Sequence, residues 1–286
     1  MPKRKRAAQA SPQADSEEET AKTAPELKDI DDVAPLKDDF KVPYADKTII
    51  CEKHGSQDIA TSLIFTHGAG GGLGATAVQD FAKGFAAVAP VICFKGNMNL
   101  KSRVKMFHAV VENQGPADAL GGRSMGARAA VMAALELEKP PAALLLISYP
   151  LTAGGKEQKR QPEGREQILM DLPEATDVLF VSGDQDSQCD LELLAETRGK
   201  MKAKKWLVEV AGADHGMNVK PKSAIQSIGL KTGQIAAEWL SSRDKSKQYC
   251  RILWEDEEIA VACGGWQEGV ADEEAQRSQQ DEGENG

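Results

Sequence analysis

The chain has 286 residues, 41% of them hydrophobic, and a net charge of −9, which suits one α/β domain of about 200 residues with polar ends. Residues 1–40 hold seven basic and ten acidic side chains, and residues 271–286 hold six acidic against one Arg, leaving −1 on residues 41–270; the acidity belongs to solvated ends, and no basic stripe marks a direct nucleic-acid surface. Five scattered cysteines without a CxxC pair, no apolar run of about 18 residues and no apolar stretch behind the first charges exclude a disulfide frame, a zinc site and a membrane span, and predict an intracellular protein of nucleus or cytoplasm.

Three regions are expected: a disordered amino-terminal tail over 1–39, a folded α/β domain over 40–243, and a mixed extension with an acidic disordered tail over 244–286. The tail opens on Pro2-Lys3-Arg4-Lys5-Arg6. That cluster reads either as a nuclear-import signal or as a solvated basic end.

From residue 40 onward, apolar runs of four to seven residues alternate with amphipathic stretches of 12–18 residues, the pattern of a mostly parallel, doubly wound sheet wrapped by helices. Strands are predicted at 48–51, 62–66, 91–94, 117–120, 143–149, 178–182 and 206–210. Their runs are continuous rather than alternating, as for strands covered on both faces. Helices are predicted at 76–88, 100–113, 125–137, 191–203 and 223–241, the last with Ile225, Ile228, Ile235 and Trp239 on one face. Beyond Ser242, the apolar patches at 251–254 and 259–262 flank acidic residues 255–258. They are compatible with a hairpin, a partner-docking segment or a loosely held extension.

The strongest local motif is Gly122-Arg123-Ser124-Met125-Gly126. The pattern is common by composition, but here it follows a predicted strand and opens an Ala-rich helix, which is the setting of a nucleophile elbow. Gly122 and Gly126 are expected to remove side chains that would collide at the sharp turn. The bland alternative is a structural turn whose serine caps a helix.

A serine needs a base to take its proton, and the chain has four histidines. His54 is expected in a hairpin loop and His108 in the middle of a helix, while His67 follows a strand. His215, in Ala213-Asp214-His215-Gly216, follows the last predicted strand and the acid candidates, in the Ser…Asp…His order of a nucleophile-elbow sheet. For the acid, Asp184 and Asp186 both lie at the end of strand 178–182. Asp186 is preferred because a Gly-x-x-Asp turn carries it past the strand end, with Asp184 in reserve as a turn cap. The oxyanion would be held by Met125 N–H and by Ala69 N–H in the glycine-rich loop Thr66-His67-Gly68-Ala69-Gly70-Gly71-Gly72. That loop lacks the Gly-Lys-Ser/Thr ending of a phosphate cradle.

These motifs, together with Ile147-Ser148-Tyr149-Pro150-Leu151, Cys189 and Asp214-His215-Gly216-Met217, resemble an α/β-hydrolase of the dienelactone-hydrolase-like type. The resemblance is nearer still to the testis-expressed protein 30 and NSL-complex regulatory subunit 3 family, and spans roughly residues 45–242. It implies an α/β-hydrolase-type fold with Ser124, Asp186 and His215 as nucleophile, acid and base, no cofactor and no metal. The run between Tyr149 and Asp177 is too short for a large lid domain, which points to a small acyl or ester substrate. The resemblance implies two functions: a carboxylic-ester or related acyl hydrolase, or a non-catalytic interaction subunit of a nuclear histone-acetyltransferase complex with protein partners held by the tails. Residues 248–270 have no counterpart in the family pattern.

Overall fold

The computed structural model describes residues 37–153 and 164–268. Ten strands form one sheet in the order β1-β2-β4-β3-β5-β6-β7-β8-β9-β10. In chain order the elements are β1 (Lys37–Tyr44), β2 (Lys47–His54), β3 (Leu63–Thr66), α1 (Thr76–Ala86), β4 (Val91–Phe94), α2 (Leu100–Gln114), β5 (Ala119–Arg123) and α3 (Met125–Glu136). Then follow β6 (Ala143–Ile147), α4 (Gln167–Met170), β7 (Asp177–Gln185), α5 (Leu191–Lys200), β8 (Lys204–Asp214), α6 (Ala224–Ser242), β9 (Tyr249–Glu255) and β10 (Ala260–Gln267). Pairing is parallel from β4 through β9 and antiparallel at the two margins, β1 with β2, β2 with β4, and β9 with β10.

The continuous apolar runs work as expected, because successive residues of each central strand enter opposite cores. Leu144 and Leu146 of β6 join the core beneath α2, α3 and α5, with Val104, Phe107, Ala130 and Leu194. Ala143, Leu145 and Ile147 enter the core beneath α1 and α6, with Phe81, Phe85, Ile228 and Trp239. Both faces are thus dry, and the sheet is doubly wound.

The sheet is wider than the sequence predicts. The boundary at 39/40 falls inside β1, whose single fully buried apolar side chain is Val42. This strand is held by an eight-residue antiparallel register with β2 and by the Lys37–Glu52 ion pair at 3.1 Å. Its polar composition reads as tail because an edge strand needs backbone partners more than a hydrophobic face. Likewise the sheet does not stop at 243: the patches left open at 251–254 and 259–262 form the β9–β10 hairpin, with β9 parallel to β8. Cys250 and Ile252 are buried there, and Glu209 of β8 accepts from Tyr249 Oη at 2.7 Å and pairs with Arg251 at 2.9 Å. The basic cluster at Pro2–Arg6, the tails 1–36 and 269–286, and part of the expected lid-free segment, 154–163, lie outside the described residues.

Candidate active site

β5 delivers Ser124 to the carboxyl edge of the sheet, where the chain turns directly into α3. The turn forces Ser124 to φ 52°, ψ −117°, a region that costs a non-glycine residue about 1–3 kcal/mol and persists only where the surroundings impose it. They do so here. A β-carbon on Gly122 would lie 2.4 Å from the backbone carbon of Gly126, and one on Gly126 would lie 2.5 Å from the carbonyl oxygen of Thr66. Both expected elbow glycines are therefore demanded by space. The Ser124 amide donates to Ile147 O at 2.9 Å, tying the turn to β6.

Ser124 Oγ stands 2.9 Å from His215 Nε2, although the two are 91 residues apart in the chain. His215 follows β8 in a compact loop organised by Asp214, whose Oδ1 accepts from the amides of Gly216 at 2.7 Å and Asn218 at 2.9 Å. Burial pushes the Asp214 carboxyl up, but the Asn218 and Gly216 hydrogen bonds and the Arg123 charge outweigh it and hold the pKa below the usual range.

Asp186 faces the other imidazole nitrogen: His215 Nδ1 lies 2.9 Å from each carboxylate oxygen. Its side chain is wholly buried, and Oδ1 also accepts the Gln188 amide at 2.8 Å. An ionised carboxylate only accepts, so Nδ1 carries the proton and Nε2 is left as acceptor for the serine hydroxyl. The reserve candidate does something else. Asp184 accepts the Gly212 amide at 2.7 Å, fastening β7 to β8 where their register shifts between Gly183 and Gln185.

The other expected positions are near the serine. Met125 is the first residue of α3, where the helix offers its N–H no acceptor. Gly68 passes so close that a β-carbon there would lie 3.5 Å from Ser124 Cβ. Ala69 follows it, exposed, and its amide makes no backbone hydrogen bond among the described residues.

The remaining histidines are occupied elsewhere. His67 accepts the Gly96 amide on Nε2 at 3.0 Å and donates from Nδ1 to Gly68 O at 2.7 Å, a pattern only the neutral ring can make; burial lowers its pKa in the same sense. His54 is not in a hairpin loop. It ends β2, is almost fully buried, and lies 3.2 Å from Glu52 on the same strand face. His108 packs on α2 with Nε2 3.4 Å from Ala133 O.

Two arginines have roles that the motif reading does not assign. Arg123, inside the elbow motif, donates to the carbonyl of His215 and so couples the serine turn to the histidine loop. Arg103 is fully buried on α2 and donates to His67 O at 2.5 Å, Gly68 O at 3.2 Å and Asn97 O at 2.9 Å. Burial lowers its pKa to about 10, yet the guanidinium stays charged and clamps the loop leading to Ala69. The signal for Arg103 was a charge on the apolar face of a helix; for Arg123 it was the motif's own variable position.

Between α1 and α6 lies an apolar niche of about 20 Å³, lined by residues including Phe81, Ile147, Met217 and Ile225. Ile147 is the residue whose carbonyl holds Ser124, and Met217 is two residues beyond His215. Among the described residues no group of three or more His, Cys, Asp or Glu side chains is arranged to hold a metal, and no helix is long and apolar enough to cross a membrane.

Three solved structures are similar over most of the chain. Est1E from Butyrivibrio proteoclasticus has 14% identity, covers 71% of this chain and 99% of its own, and superposes with a TM-score of 0.56. Dienelactone hydrolase from Anabaena variabilis has 14% identity, coverage of 72% and 97%, and a TM-score of 0.55. An alpha-beta serine hydrolase homologue from Coxiella burnetii has 17% identity, coverage of 68% and 96%, and a TM-score of 0.52. At these identities the likeness is one of fold. Residues 96–237, which include Ser124, Asp186 and His215, match the family model described as an alpha/beta hydrolase domain. The chain thus has an α/β-hydrolase-like fold, in which residues 96–237 are similar to the alpha/beta hydrolase domain family.

Proposed function

We propose that this protein is a serine hydrolase that cleaves carboxylic esters or related acyl compounds through an acyl-enzyme. The observation that carries the reading is the unbroken relay from Ser124 Oγ to His215 Nε2 and from His215 Nδ1 to Asp186, each step 2.9 Å. Ser124 attacks the acyl carbon while His215 takes its proton; Asp186 holds the imidazole in the accepting tautomer and offsets the imidazolium charge. The Met125 and Ala69 amides receive the oxyanion. His215 then protonates the leaving group, and a water activated by the same base releases the acid.

The substrate is small at its acyl end. The run between Tyr149 and Asp177 is too short for a large lid domain, which suits a short acyl chain rather than a lipid tail. The second function implied by resemblance, a non-catalytic interaction subunit, requires a serine that does not react.

A fluorophosphonate probe separates the two. Wild-type protein should be labelled at Ser124, with labelling lost in Ser124→Ala and reduced by orders of magnitude in His215→Ala. Folded wild-type protein that stays unlabelled, or labelling that survives in Ser124→Ala, refutes the hydrolase reading.

A further inference from the structure

The carboxyl-terminal edge of the sheet carries a second chemically competent arrangement, remote in sequence from the serine site. Cys250 on β9 is buried and Cys263 on β10 is exposed. The two strands pair regularly as far as Cys263↔Ile252, then shift before Trp266↔Cys250, so β10 holds one extra residue in a β-bulge. The bulge contains Gly264 and Gly265, the latter at φ 68°. It brings Cys263 diagonally across from Cys250, with the two sulfurs 3.6 Å apart.

We propose that Cys250 and Cys263 form a redox-active dithiol, in which a hydroperoxide oxidises Cys263 and Cys250 resolves the product to a cross-strand disulfide. The Cys263 thiolate attacks the terminal peroxide oxygen, the O–O bond breaks, and a sulfenic acid forms as hydroxide or alkoxide leaves and takes from solvent the proton that the Cys263 thiol had released, departing as water or an alcohol. Cys250 Sγ then attacks the sulfenyl sulfur, the S–S bond forms, and the departing hydroxide takes the Cys250 proton and leaves as a second water. The two sulfurs together lose two electrons and the peroxide gains them.

The division of labour follows from the surroundings. Cys263 is exposed to the oxidant, and the Cys250 S–H, the Gly265 amide and the Lys231 charge favour its thiolate over the opposing effects of burial and Glu238, so its pKa is lowered. Lys231 and Glu238 are the charged groups of α6 that bear on the pair. Cys250 keeps its proton, because it donates toward Cys263 and is buried. Bond formation needs the sulfurs to close by about 1.5 Å, to roughly 2.05 Å, and the two bulge glycines are where the backbone yields most easily. The remaining thiols serve as internal standards: burial pushes Cys51 and Cys189 up to about 12 and Cys93 higher still.

The test uses the full chain and hydrogen peroxide. In reduced protein near neutral pH, iodoacetamide should alkylate Cys263 about tenfold faster than any other cysteine. After peroxide, unreduced peptide mapping should find a Cys250–Cys263 linked peptide lighter by two hydrogens, reversed by dithiothreitol. In Cys250→Ser, the Cys263 sulfenic acid should persist and be trapped by dimedone. Alkylation of Cys263 no faster than the buried thiols, or oxidation of wild-type Cys263 to a sulfinic acid with no linked peptide, overturns the proposal. Both of those readouts are taken on wild-type protein and so do not depend on the variant folding.

Discussion

Replacing Asp186 by Asn is the sharpest probe of the relay, because it removes charge while keeping shape. Both carboxylate oxygens lie 2.9 Å from His215 Nδ1, so either orientation of an amide places its NH2 within hydrogen-bond range of Nδ1. The Gln188 amide, donating to Oδ1 at 2.8 Å, selects the orientation with oxygen at that site and the NH2 at the other. The side chain is wholly buried, so no water relieves the donor facing a donor. The Asn oxygen still lies within reach of Nδ1, but the NH2 beside it favours the tautomer with the proton on Nε2, which presents N–H to Ser124 Oγ, and the neutral amide no longer offsets the imidazolium charge. In enzymes with this arrangement the wrong tautomer costs about 10⁴ in rate, or roughly 5.4 kcal/mol of barrier. The assay is the second-order rate of fluorophosphonate labelling, with the thermal midpoint measured alongside to confirm folding. A folded Asp186→Asn variant within tenfold of wild type, or an equal loss in Asp184→Asn, refutes the assignment.

Two further predictions concern stability. Gly126→Ala places a β-carbon 2.5 Å from Thr66 O and 2.6 Å from His67 O; since both are backbone atoms, α3 or the Ala69 loop must move, costing about 1–3 kcal/mol in urea unfolding and slowing probe labelling. Wild-type stability with an unchanged labelling rate contradicts this. Asp80 is 4% exposed on α1, and its Oδ2 has no hydrogen-bond partner among the described residues. Burial raises its carboxyl pKa, against the Lys83 charge. A raised folded pKa favours the native state below the unfolded value of about 3.9, and that contribution is lost as pH rises through the folded value. Asp80→Asn should therefore gain about 1 kcal/mol over wild type at pH 7, with the gain shrinking toward pH 4. A difference that does not change with pH in denaturant titrations contradicts the burial argument.

How much could be read in advance depended on whether the cause was local. The elbow is a five-residue motif in which Gly122 answers a collision inside the turn, with Gly126, while Gly126 answers the Thr66 and His67 carbonyls that folding brings against it. The central strands advertise themselves because both faces are apolar, and the helix over 223–241 because its stripe repeats at helical spacing; α6 covers Ala224–Ser242. The choice between Asp184 and Asp186 was different. Two residues apart on one strand end, they diverge because the β7–β8 register shift hands Asp184 to the Gly212 amide and leaves Asp186 facing His215.

The sequence by itself thus determined the sheet's core, the order of serine, acid and histidine along the chain, and the turn motif with its Gly122, all of which follow from periodicity, chain order and steric exclusion between near neighbours. Only the tertiary structure decided the sheet's edges and the support around the serine. β1 and β10 are held by backbone pairing that polar side chains do not announce. Arg103 and Arg123 act on carbonyls that folding brings to them, 36 residues away for His67 and 92 for His215. A guanidinium that binds backbone oxygen leaves no pattern in the residue types it binds, and that is why those contacts had to be seen in three dimensions.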